Sequence, residues 1–126
     1  MPLRIFIVED HVETLKAVQA YLERRGHEVE TATLMQEALT QWSAENFDLL
    51  LADIGLPDGD GWEMMRLLRK NPPRYAAAMS GYGTPADIAH SQSVGFKRHL
   101  VKPVRHEDLD AVVAEAQAMK DGLSEG

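Results

Sequence analysis

Leu49-Leu50-Leu51-Ala52-Asp53-Ile54-Gly55-Leu56-Pro57 is the stretch that decides how the chain folds. An unbroken apolar run without polar alternation suits a strand buried on both faces. This one stops at a carboxylate. The run Leu3 to Val8, polar only at Arg4, stops the same way, in Glu9-Asp10. Two buried strands ending in acids gather those acids at one edge of a parallel sheet. That is the edge where open α/β folds place their chemistry.

Outward from these runs, strand and helix patterns alternate. His11 to Arg25 carries Val12, Leu15, Val18 and Leu22 on one helical stripe, with Gly26 as its left-handed cap. Glu28 to Thr33 reads as a shorter, more polar strand near an edge. Met35, Ala38, Leu39 and Trp42 mark a second helix, and Asp48 to Ala52 the next strand. Leu56 to Gly61 is a loop rich in Pro, Gly and Asp. Trp62 to Arg69 gives a third helix, with Trp62 and the methionines assigned to the core. Ala76 to Met79 is a strand of small residues ending at Ser80-Gly81. Thr84-Pro85-Ala86-Asp87 has the layout of a helix start, and that helix ends near Gly95. His99 to Val101 is a fifth strand, followed by Lys102-Pro103 and a last helix from Glu107 to Lys120. Five β-α units with short crossovers predict an α/β fold, a doubly wound five-stranded parallel sheet of order 2-1-3-4-5. The domain is expected over 1–121, with a flexible tail at 122–126.

Composition narrows the function. The 126 residues suit one domain, and 44% hydrophobic with 26% charged residues is ordinary for a globular protein. A net charge of -7 argues against direct nucleic-acid binding. The chain has no cysteine, which removes disulfides and thiolate metal sites. No apolar stretch approaches the roughly 20 residues of a membrane span. Met1-Pro2-Leu3-Arg4 lacks a signal-peptide layout, so a cytoplasmic location is expected.

The predicted sheet brings Glu9, Asp10, Asp53, Ser80 and Lys102 to one edge. Like charges about 4 Å apart cost on the order of 4 kcal/mol at an effective dielectric near 20. Three acids together therefore hold a proton or bind a cation, and all-oxygen ligands favour Mg²⁺. Asp10, Asp53 and the Gly55 carbonyl are the expected direct ligands, with Glu9 acting through a water. Lys102 balances charge and can bind a phosphoryl oxygen, and Ser80 can donate to another. Asp53 is placed to attack phosphorus. Taken singly, acids after strands and a serine before glycine are ordinary turn residues. Their convergence at one edge is what favours chemistry.

Glu9-Asp10, Asp53 with Pro57 and Gly61, Ser80-Gly81 and Lys102-Pro103 together resemble the receiver domains of two-component response regulators, from about Leu3 to Met119. The resemblance implies a flavodoxin-like (β/α)5 fold and phosphorelay signalling. A sensor histidine kinase or histidine phosphotransfer protein would supply the phosphoryl group to Asp53. Mg²⁺ would be served by Glu9 and Asp10, and no other cofactor is implied. Ser80 and the residue at 99 would act as the switch, moving the surface of the fourth helix, fifth strand and fifth helix. His99 stands where Tyr or Phe is commoner, adding a protonatable ring. Gly55 leaves the position two after Asp53 without a side chain. Tyr82 and His99 would meet the partner, a downstream protein or fused kinase domains. Residues 80–85 look like those of receivers in hybrid kinases, so a stand-alone regulator and a receiver excised from one are both allowed. So is a homodimer.

Two other readings are weaker. A haloacid-dehalogenase-type phosphatase needs a second acid two residues after the nucleophile, where Gly55 stands. A receiver-like module that binds without phosphorylation would not need all five site residues. A flavin-binding loop and a P-loop motif are both missing from the sequence.

Overall fold

The computed structural model describes residues 2–122. Ten principal elements alternate along the chain. They are β1 (Arg4–Val8), α1 (Val12–Arg24), β2 (Glu28–Ala32), α2 (Met35–Gln41), β3 (Leu49–Asp53), α3 (Gly61–Leu67), β4 (Ala76–Ser80), α4 (Pro85–Ser93), β5 (Arg98–Val101) and α5 (His106–Lys120). The five strands form one parallel sheet in the order β2-β1-β3-β4-β5, as the β-α repeat requires.

Alternation along each central strand builds two cores. Ile5, Ile7, Leu49, Leu51, Ala77 and Met79 face α1 and α5, meeting Leu15, Val18, Leu22, Leu109 and Val112. Phe6, Val8, Leu50, Ala52, Ala76 and Ala78 face the other way, onto Met35, Met64, Met65 and Phe96. Both faces of β1, β3 and β4 are thus dry, which explains their unbroken apolar sequence. At the base of the sheet, Glu115 of α5 takes hydrogen bonds from Tyr75 and Arg98, fastening the last helix to β4 and β5.

The helix ends follow local chemistry. Thr84 Oγ1 accepts from the Asp87 N–H at 3.1 Å with Pro85 in the first turn, the start read from sequence. Gly26, at φ +92°, ends α1 in the left-handed conformation that glycine adopts without strain.

Three expectations need correction. Val12 does not lie on the buried stripe of α1. It is 50% exposed because it opens the helix, beyond the reach of the sheet. The segment 56–61 is more than a loop. Gly55–Leu56 and Gly59–Asp60 pair antiparallel in a two-rung hairpin. Helix α3 begins at Gly61 and ends at Leu67, since Asp60 caps it by accepting from the Glu63 N–H at 2.7 Å. The expected tail falls, from residue 123 onward, outside the described residues.

The hairpin is anchored from both sides. Asp58 accepts from the Met35 and Gln36 N–H groups at 2.7 and 3.0 Å, serving as the cap of α2. Gly61 packs against the backbone at the end of β3, where an added Cβ would lie 2.7 Å from the Asp53 carbonyl oxygen. An added Cβ at Gly55, by contrast, meets nothing within 4 Å. Gly61→Ala should therefore cost about 1–3 kcal/mol in urea denaturation. Gly55→Ala should stay within about 0.5 kcal/mol of the parent. Equal stability of the two variants would contradict this close packing.

Candidate functional site

Sheet register assembles the site. Val8 pairs with Ala52, Asp53 with Met79, and Ser80 with Val101. The residue after β1 is therefore Glu9, beside Asp53, and the residue after β5 is Lys102. The Lys102 N–H donates to the Ser80 carbonyl at 2.7 Å, closing that end of the sheet. The Lys102–Pro103 peptide is cis.

Glu9 is fully buried, Asp53 is 6% exposed, and Asp10 lies at the surface. Each offers a carboxylate oxygen, and the three oxygens lie within 4.8 Å of one another. Lys102 Nζ donates to Asp53 Oδ2 at 3.0 Å. It also stands 2.5 Å from Glu9 Oε1, a charge contact without an aligned hydrogen bond. Glu9 Oε2 accepts from the His11 N–H at 3.1 Å, and Asp53 Oδ1 from the Gly55 N–H at 3.2 Å. One lysine against three acids leaves an excess of negative charge.

That imbalance shows in the titration of Glu9. Burial pushes its carboxyl up to about 7, and its neighbour Asp53 adds to the rise. Lys102 and the His11 N–H pull the other way without cancelling it. For Lys102, burial opposes the charge, but contacts with Glu9 and Asp53 outweigh it and raise its pKa. A divalent cation fits these residues because the donor set is all oxygen and a single lysine faces three acids.

Ser80 is 7% exposed at the end of β4, and its Oγ accepts from the Tyr82 N–H at 3.0 Å. His99 is half-buried on β5, with Nδ1 2.7 Å from Ser91 Oγ and Nε2 2.8 Å from the Tyr82 carbonyl. All the site residues read from sequence thus share one end of the sheet. Ser91 and Trp62 were missed. Trp62 is half-buried and donates from Nε1 to Ser91 Oγ at 2.9 Å. A serine inside a helix and a tryptophan near its start carry no sequence signal of pairing.

A family model for the response regulator receiver domain matches residues 5–114. The chain belongs to this family. A receiver domain protein from Methanospirillum hungatei superposes with a TM-score of 0.86 at 30% identity, covering 97% of this chain and 99% of that one. The CAI-1 autoinducer sensor kinase/phosphatase CqsS of Vibrio cholerae is 31% identical over 110 residues, 84% of this chain and 16% of its own length. The probable transcriptional regulator ycf27 of Cyanophora paradoxa is 29% identical over 108 residues, 86% of this chain and 45% of its own. The receiver thus spans less than half of these curated relatives. No described helix is long and apolar enough to cross a membrane.

The Glu9 titration has a direct consequence for cation binding. Below about pH 7 Glu9 holds a proton that an incoming cation must displace; above it the carboxylate is free. Divalent-ion affinity should rise roughly tenfold between pH 6 and pH 8, followed by calorimetric titration. Glu9→Gln should flatten that rise. A parent protein with the same affinity at both pH values would place Glu9 outside the ion site.

Proposed function

We propose that this receiver accepts a phosphoryl group from a phosphohistidine onto Asp53, as one step of a phosphorelay. The observation that carries the reading is the convergence of Lys102 and two further acids on a single recessed carboxylate. Asp10, Asp53 and the Gly55 carbonyl would hold Mg²⁺ directly, with Glu9 acting through a water. The bound ion would supply positive charge against the phosphoryl oxygens.

The chain's own residues account for the transfer. An Asp53 oxygen forms the new O–P bond while the N–P bond of the donor histidine breaks. The released electron pair stays on the ring nitrogen, which takes up a proton from solvent. Lys102 Nζ, already on Asp53 Oδ2, binds one phosphoryl oxygen as a point charge. Ser80 Oγ turns from the Tyr82 N–H and donates to another. Water attacking phosphorus, as the O–P bond to Asp53 breaks, would release phosphate and restore the carboxylate, so the domain acts as a transient carrier.

The donor would be a sensor histidine kinase or a histidine phosphotransfer protein. Val12, exposed at the start of α1, offers it an apolar contact beside the acids. A cavity of about 190 Å³ is lined by Thr14, Val18, Lys102 and Val104. Output would pass through Ser80 and His99 to the α4–β5–α5 face, where Tyr82 is 75% and Val101 46% exposed. Its reader is a downstream protein or fused kinase domains, and the receiver unit is taken as 1–121.

Incubation with Mg²⁺ and phosphoramidate should attach one phosphoryl group, located at Asp53 by mass spectrometry. Asp53→Asn should lose the label. Undiminished labelling of that variant would refute the assignment.

A further inference from the structure

Among the described residues, four polar side chains are buried: Glu9, Asp53, Ser80 and Ser91. Three belong to the site above. The fourth, Ser91, is fully buried on α4 and reaches both Trp62 and His99. Burying a hydroxyl without partners costs roughly 1–3 kcal/mol, so its two hydrogen bonds are what make its position tolerable.

The direction of these bonds is fixed from both ends. An indole N–H can only donate, and a carbonyl can only accept. Ser91 Oγ therefore accepts from Trp62 Nε1 at 2.9 Å, and the Tyr82 carbonyl accepts from His99 Nε2–H at 2.8 Å. His99 Nδ1, at 2.7 Å, is then free to accept from the Ser91 hydroxyl. In its neutral form the ring is then the Nε2–H tautomer. Tyr82 continues the sequence, since its N–H donates to Ser80 Oγ at 3.0 Å. One chain of hydrogen bonds thus runs from Ser80 through the Tyr82 backbone, His99 and Ser91 to Trp62.

We propose that this chain carries the state of Ser80 to a second face of the receiver, the α3–α4 surface around Trp62 and His90, with Ser91 as its positioning residue. The inference rests on Asp53 being the phosphoacceptor. A phosphoryl group on Asp53 draws Ser80 Oγ away and leaves the Tyr82 N–H without its acceptor. The Tyr82 peptide then shifts, and its carbonyl no longer fixes the His99 ring. The ring's movement alters what Ser91 can offer Trp62. Trp62 stacks on His90 with centroids 3.9 Å apart, and Arg66 Nη1 lies 3.5 Å from His90 Nε2. A change at the indole therefore reaches half-buried His90 of α4 and exposed Arg66 of α3. The switch would be read on this face as well as on α4–β5–α5.

Two-dimensional ¹H–¹⁵N spectra test this directly, because the indole signals of Trp42 and Trp62 can be assigned with Trp42→Phe. Long-range ¹H–¹⁵N correlations should show His99 as the Nε2–H tautomer in the unmodified protein. Mg²⁺ and phosphoramidate should then shift the Trp62 indole signal and leave that of Trp42 in place. Ser91→Ala should abolish the Trp62 shift, and Ser91→Thr, which keeps the hydroxyl, should retain it, while mass spectrometry still finds Asp53 phosphorylated in both. A Trp62 signal that stays put in phosphorylated parent protein would overturn the proposal. So would an Nδ1–H ring, or an equal shift in both variants. Failure of Asp53 to take the label at all would instead count against the phosphoacceptor reading.

Discussion

Three carboxylates within 4.8 Å of one another are the constraint around which this molecule is organised. Such a group is unfavourable in any fold that does not also deliver positive charge to it. Lys102 delivers one charge from the far end of the chain, and burial keeps Glu9 protonated up to about pH 7. The residual deficit is a standing attraction for a cation. Asp53 is recessed and held by Lys102.

Holding these groups in place demands a rigid frame, and the frame is the sheet register. A strand slipped by one residue would turn its buried side chains to the opposite face. Both faces of β1, β3 and β4 are packed, so such slippage is strongly opposed. The loop after β3 needs separate support because it leaves the sheet. Asp58 ties it to the start of α2, and Gly61 lets α3 approach the Asp53 carbonyl. Asp53 is thereby fixed from behind, while an added Cβ at Gly55 would meet nothing within 4 Å.

The sheet and its order were legible because buried parallel strands leave an unmistakable record in sequence. Leu49 to Ala52 and Leu3 to Val8 could bury both faces in few other ways. The site was legible for a related reason, since the ends of those strands converge whatever the helices do. Val12 was misread because helical periodicity shows a stripe's direction but not how far the sheet extends beneath it. The two-rung hairpin was missed because it is two residues a side and rich in turn formers, so composition marks it as loop. Asp58 caps a helix 22 and 23 residues earlier, a pairing set by tertiary packing and invisible to local patterns. The same holds for Trp62, Ser91 and His99, which come from three elements.

Histidine at position 99 offers contacts that a phenyl or phenol ring does not. A phenyl ring transmits motion by filling or vacating volume, and a phenol adds a single polar atom at its tip. An imidazole carries two polar atoms on different edges, one donating and one accepting in its neutral form. It can therefore join two hydrogen bonds in series, where a hydrocarbon ring can only pack. Here those bonds lead to a loop carbonyl on one side and to a fully buried hydroxyl on the other. Packing coupling is graded and tolerant of small shifts. A hydrogen bond weakens steeply with angle and distance, so a chain of them is either made or broken. Under the proposed coupling, a receiver wired in this way would trade the freedom of a rotating aromatic for a sharper link between the Ser80 hydroxyl and the α3–α4 face.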